Sequence, residues 1–243
     1  MYGLLFIPII ITVFNSTVLL AYKYTMNNFP GRDYLISDSK YLKLNLDIPY
    51  KEMAEEAKNL RKLFVTYRAS YETSGWHSLP IVGLSSAQPY SWELYCETVR
   101  DAANKMHYTD IAEHCPVTVN WLKNTYPSNQ YARVRFMLLE AGGRIEHHID
   151  TEHSVLGAVN IALTNEPECK WHWKDGESLA IMPGEAYLMN LSYSHSIVNS
   201  SDMDRYHIIV HHYDSTDEYK ELVLKSMEEQ NVKGNLHYST ELF

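Results

Sequence analysis

From Tyr131 onward, apolar and β-branched residues recur with a period of two, in one short run after another separated by turn residues. That pattern belongs to strands with a buried face, because successive side chains leave a strand on opposite sides. The runs are Tyr131 to Glu140, Arg144 to Asp150, Val155 to Thr164, Lys170 to Lys174, Ser178 to Met182, Ala186 to Leu191, Ser196 to Asn199 and Arg205 to Tyr213. Gly142-Gly143, Asp175-Gly176 and Pro183-Gly184 supply the turns, and Asp175-Gly176 suits a two-residue hairpin. Eight such runs predict two four-stranded sheets, the count of a jelly roll. The expected fold is therefore mainly β, a double-stranded β-helix.

Before Tyr131 the chain reads as helical. A helix from Asp47 to about Arg68 would be capped by Asp47, carry Pro49 in its first turn and place Met53, Ala57, Leu60, Phe64 and Tyr67 on one face. A second runs from Ser91 towards Met106, with Trp92, Tyr95, Cys96, Val99, Ala102, Ala103 and Met106 at helical spacing. Val117 to Thr125 forms a short third, which stops ahead of Pro127. Beyond the strands, Ser215 and Glu218 have capping-box spacing and open a C-terminal helix to about Asn231. The expected organisation is an apolar segment at 1–22, a helical part at 23–130 packing on the barrel, a double-stranded β-helix catalytic core at 131–214, and a helix and tail at 215–243.

Composition narrows the partners. The 21 basic residues against 30 acidic ones give a formal charge of −9 without any Lys/Arg stripe, which excludes nucleic acid and leaves a small molecule or peptide as substrate. Cys96, Cys115 and Cys169 are widely spaced and form no C-x-x-C pair, so they read as reduced or buried thiols. Met1 to Tyr22 carries no charged side chain, and at about 1.5 Å per residue a helix of that length matches a bilayer core. It is read either as a single-pass membrane anchor or as an apolar element docked on the core of a cytoplasmic protein. A signal peptide fits less well, because no basic residue precedes the apolar run.

The chemistry gathers on three strands. In His148-Ile149-Asp150 the imidazole and the carboxylate share a face at the end of the second run, and His195 opens the seventh. Two histidines and a carboxylate occupy one face of an octahedral Fe(II) and leave positions for a chelating keto acid and O2. Arg205 opens the eighth run, where its planar fork suits the distal carboxylate of 2-oxoglutarate. Each element is weak alone; their order along the strands carries the reading. Among the competing histidines, His147 has the wrong parity, His153 lies beyond the strand, and His172 reads as a sheet residue. His207 and His211 share the face of Arg205. Two other classes stay open: a non-catalytic jelly-roll binding module, and a cupin-type metal dioxygenase that needs no keto acid.

Residues Trp76 to Asp214 resemble the aspartyl/asparaginyl β-hydroxylases and their bacterial and phage relatives, which include some proline hydroxylases. The resemblance is carried by Cys115-Pro116-Val117-Thr118 with Leu122 and Tyr126-Pro127, by Arg133 through Gly143 to His148-Ile149-Asp150, and by His195 with Arg205. It implies a double-stranded β-helix, Fe(II) and 2-oxoglutarate. The chain departs from the animal members at two places. Gly157-Ala158-Val159-Asn160 stands where they carry Arg-x-His for the other end of the co-substrate, so that Asn160 is either a substitute polar contact or a structural residue, and their small hydroxyl residue on the first strand is replaced near Met137.

Overall fold

The computed structural model describes residues 34–67, 73–87, 105–128, 130–150, 155–212 and 216–237. The apolar segment 1–22 and nearly all of the helix expected from Ser91 lie outside them. Among the described residues no helix is long and apolar enough to cross a membrane.

In chain order the elements are β1 (Tyr34–Ser37), β2 (Tyr41–Leu44), α1 (Tyr50–Asn59), β3 (Val65–Thr66), β4 (Thr73–Gly83), β5 (His107–Tyr108), α2 (Pro116–Asn124), β6 (Tyr131–His148), β7 (Val155–Ala162), β8 (Cys169–Trp173), β9 (Ser178–Leu179), β10 (Ala186–Asn190), β11 (His195–Asn199), β12 (Arg205–His212), α3 (Asp217–Glu229) and β13 (Gly234–His237). The strands pair antiparallel in the order β13-β1-β7-β12-β6-β11-β8-β9, with β10 joining β7 to β2, and β4 flanking β6. The fold is the expected double-stranded β-helix with helices packed outside it. Hydrogen bonding is continuous through β6, however, so the two layers are one curled sheet of 13 described strands and not two separate sheets of four.

The reason lies at Gly142-Gly143. β6 pairs with β12 and β4 along its first half and with β11 near its end, so it belongs to both layers without a break. Gly142 takes φ +69, and a Cβ on Gly143 would lie 2.8 Å from the Glu140 carbonyl oxygen and 2.9 Å from that of Ser74. The glycines form a bend inside one 18-residue strand, not the expected turn between two. Asn199 holds this bend: its Nδ2 donates to the carbonyls of Leu139, Glu140 and Met203, and its Oδ1 accepts from the Ser201 hydroxyl.

Alternation along β6 feeds two apolar cores. Phe136 and Leu138 face outward onto Met53, Ala57, Trp121, Leu122 and Val223 of the helices. Met137 and Leu139 face inward with Trp76, Trp171, Trp173, Tyr187 and Ile197.

Local differences from the sequence expectations have local causes. Helix α1 ends at Asn59, short of Arg68, and a single 3-10 turn leads into β3, because Val65 and Thr66 must extend to pair with Ser78 and His77. Asp47 does not cap it; the Asp47 carbonyl instead accepts the Trp121 indole N–H at 2.6 Å. Helix α2 starts at Pro116, and the N–H groups of Val117 and Thr118 donate to the Glu56 carboxylate at 2.6 and 3.0 Å. Thr216, not Ser215, caps α3 by accepting from the Tyr219 N–H. Between β8 and β9 the Trp173 N–H donates to the Glu177 carbonyl at 2.9 Å and closes a loop of three residues, Lys174 to Gly176, with Gly176 at φ +92, where the sequence suggests two. Strands β1 to β5 and β13 fall in stretches read as helical or irregular.

Candidate metal centre

β6 brings His148 opposite His195 of β11, and β6 spends three residues where β11 spends two, between His148 and Ile145. That bulge lets His148, and not His147, face inward. Asp150 follows two residues later, its backbone N–H held by the Leu191 carbonyl at 3.1 Å. The ligand atoms of His148, Asp150 and His195 all lie within 4.8 Å of one another. Both imidazole Nε2 atoms face Asp150 Oδ2, at 3.5 Å from His148 and 3.8 Å from His195.

The other ring nitrogens fix the tautomers. His148 Nδ1 lies 2.8 Å from the Glu146 carbonyl oxygen, and His195 Nδ1 lies 2.8 Å from that of Tyr193. A carbonyl only accepts, so each Nδ1 carries a proton, and Nε2 is the nitrogen left on each ring to bind a metal beside Asp150. Burial pushes the His195 imidazole below its ordinary range, with the neighbouring His148 acting in the same direction. Trp171 stacks on His195, with ring centroids 4.8 Å apart. The set is two imidazoles and a carboxylate on one side of a common centre, a donor set that fits a divalent iron.

Arg205 opens β12 opposite Leu139 and is 2% exposed. Burial lowers its pKa, although a guanidinium keeps its charge in proteins. Its Nη1 has no hydrogen-bond partner among the described residues. A buried cation with an unanswered N–H fits the carboxylate of a bound ligand. Asn160 lies on the same inner face, opposite Ile209 and Tyr187, and its Nδ2 donates to the Ala158 carbonyl. Ile209 is four residues along β12 from Arg205, so Asn160 stands roughly 13 Å further along the barrel.

The remaining histidines separate clearly. His147 is exposed, with Nε2 3.4 Å from the Ser196 hydroxyl, and His172 lies opposite Ser178 and Ser196. His153 is outside the described residues. His207 is buried on the Arg205 face, opposite Met137 and Ala162. Burial first, then Arg205 and Arg135, hold its pKa well below the ordinary 6.5. Two further polar groups on that face, Ser78 and Trp76 of β4, were not legible beforehand, because β4 joins β6 only through long-range pairing.

The sequence matches the family model described as aspartyl/asparaginyl beta-hydroxylase over residues 49–214. The chain belongs to that family. No curated protein matches it in sequence. Among solved structures, it is similar to a prolyl-4-hydroxylase of Pseudomonas putida, at 11% identity over 74% of this chain and 95% of that one, TM-score 0.40. It is similar to a prolyl hydroxylase of Trichoplax adhaerens in complex with a peptide fragment of the hypoxia inducible factor oxygen degradation domain, at 12% identity over 89% and 97%, TM-score 0.42. A third is an oxidoreductase of the 2OG-Fe(II) oxygenase family from Burkholderia pseudomallei, at 12% identity over 75% and 89%, TM-score 0.42.

Proposed function

We propose that the protein is an Fe(II)- and 2-oxoglutarate-dependent dioxygenase that hydroxylates an amino-acid side chain, either of Asp or Asn in a peptide or of a free amino acid, with release of succinate and CO2. The observation that carries this reading is the convergence of His148, Asp150 and His195 within 4.8 Å. Together, Fe(II), 2-oxoglutarate and O2 supply the oxidant for C–H hydroxylation.

The chain's own residues bind and orient. His148 and His195 hold the metal through Nε2 and Asp150 through its carboxylate, while the Glu146 and Tyr193 carbonyls keep both rings turned inward. Arg205 takes the distal carboxylate of the co-substrate, and Asn160 offers a polar contact on the same inner face. Trp171, Trp173 and Ile197 give the metal an apolar wall that limits water. Residues 131–214 form the catalytic core in this reading, with β4 added to its inner face.

The test has two stages. Anaerobic addition of 2-oxoglutarate to the Fe(II)-loaded protein should give a weak visible charge-transfer band, which a binding module would lack. Admission of O2 with ascorbate and pooled amino acids or peptides should then give succinate and a product heavier by one oxygen. Oxidation without any keto acid would instead identify a cupin-type dioxygenase.

A further inference from the structure

Four buried polar side chains of β4 and β12, on the inner face either side of β6, have an atom without a hydrogen-bond partner among the described residues: Trp76 Nε1, Ser78 Oγ, Arg205 Nη1 and His207 Nδ1. Such atoms are rare in folded proteins, and a cluster of them marks a place that a ligand completes. The register makes it a cluster. Trp76, Leu139 and Arg205 are cross-strand neighbours in one row, and Ser78, Met137 and His207 form the next. Opposed residues in an antiparallel pair share a face, so Leu139 and Met137 make an apolar floor with donors along both sides, about two strand spacings or roughly 10 Å apart.

We propose that Ser78 and His207 complete the site in which Arg205 binds the distal carboxylate of 2-oxoglutarate. The inference rests on the reading of Arg205 given above. A carboxylate offers about four lone-pair sites, and one guanidinium fork answers at most two of them. The hydroxyl of Ser78, 0% exposed, and Nδ1 of His207, 3% exposed, are the uncommitted groups of the adjoining row. Among the described residues no Asp or Glu is buried, so no protein carboxylate competes for them there. Burial first, and then Arg205 and Arg135, hold His207 to its neutral form, which has one N–H to donate and adds no third charge to the face.

The experiment compares two keto acids that chelate iron alike. 2-Oxoglutarate and 2-oxopentanoate have the same chain length and differ in the distal carboxylate. Their dissociation constants are measured by anaerobic titration of the Fe(II)-loaded protein and its variants. Ser78→Ala and His207→Leu should each weaken 2-oxoglutarate by about fivefold or more and leave 2-oxopentanoate unchanged. His207→Asn, which keeps an N–H close to the Nδ1 position, should recover part of the loss. Wild-type affinity for 2-oxoglutarate in Ser78→Ala and His207→Leu, or equal weakening of both keto acids, would overturn the proposal. Arg205→Ala separates the two levels. If it alone abolishes the preference for 2-oxoglutarate, only the roles of Ser78 and His207 fail; if it too leaves the preference intact, the reading of Arg205 fails and takes this proposal with it.

Discussion

His148 and His195 stand opposite each other across β6 and β11 with ring centroids 4.4 Å apart, each ring anchored at Nδ1 by the carbonyl two residues before it. Two imidazoles that close and with that tautomer are arranged for a shared cation more than for each other. Replacing His148, Asp150 or His195 by Ala should lower iron content at least about tenfold while the circular dichroism of the sheet persists. A variant retaining wild-type iron would remove that residue from the ligand set.

Arg205→Ala should weaken 2-oxoglutarate by at least about tenfold, since it removes a charge-assisted bond of about 1.5 to 3 kcal/mol. Iron content should not change. Arg205→Lys should restore only part, because an ammonium cannot reproduce the fork. Succinate formation against 2-oxoglutarate concentration at matched iron loading measures it, and an alanine variant with unchanged concentration dependence would contradict the role.

The metal-free protein should lose stability on mild acidification. His207 and His195 are held below the ordinary value of 6.5 in the folded state, His207 well below it. The unfolded chain therefore binds more protons than the folded one once pH falls under about 6.5, and stability declines in that direction. Each site contributes a slope of at most about 1.4 kcal/mol per pH unit, while stability from this source is flat above neutrality. Urea unfolding from pH 5 to 8 should show the decline, and His207→Leu should flatten it. An identical slope in that variant would mean that His207 is not the group responsible.

Glu56→Ala should cost about 2 to 3 kcal/mol, through loss of its bonds to the Val117 and Thr118 N–H groups and to the Thr118 hydroxyl at 2.7 Å. Cys115-Pro116-Val117-Thr118 is thereby explained as the point where α1 clamps the start of α2. Chemical denaturation gives the loss, and iron and 2-oxoglutarate binding should be unaltered. Loss of binding without loss of stability would place Glu56 in the site instead.

Strand parity made His148, Asp150, His195 and Arg205 visible in the sequence, since it is a local property that survives without knowledge of the fold. The limits were equally physical. In the sequence β6 reads as two runs because glycines at a bend and glycines at a turn look alike, and only the approach of Gly143 to the Glu140 and Ser74 carbonyls separates them. β4 was invisible for a different reason: Trp76 and Ser78 gain their meaning from Leu139 and Met137, about sixty residues later. Met137 occupies the place where the resemblance implies a small hydroxyl, and the hydroxyl on that face comes from Ser78 across the strand pair.

β6 reaches His148 by way of two irregular stretches, one between Leu139 and Arg144 and one between Ile145 and His148. Every residue in those stretches changes the side on which the next ones emerge. A single insertion or deletion there would slide the strand along β11 or turn its outer residues inward, and in either case His148 would leave its place opposite His195. Loops such as Lys174 to Gly176 impose no such counting rule. Length variation among active descendants of this chain should therefore collect in its loops, and be purged from the ten positions that connect the barrel floor to the metal.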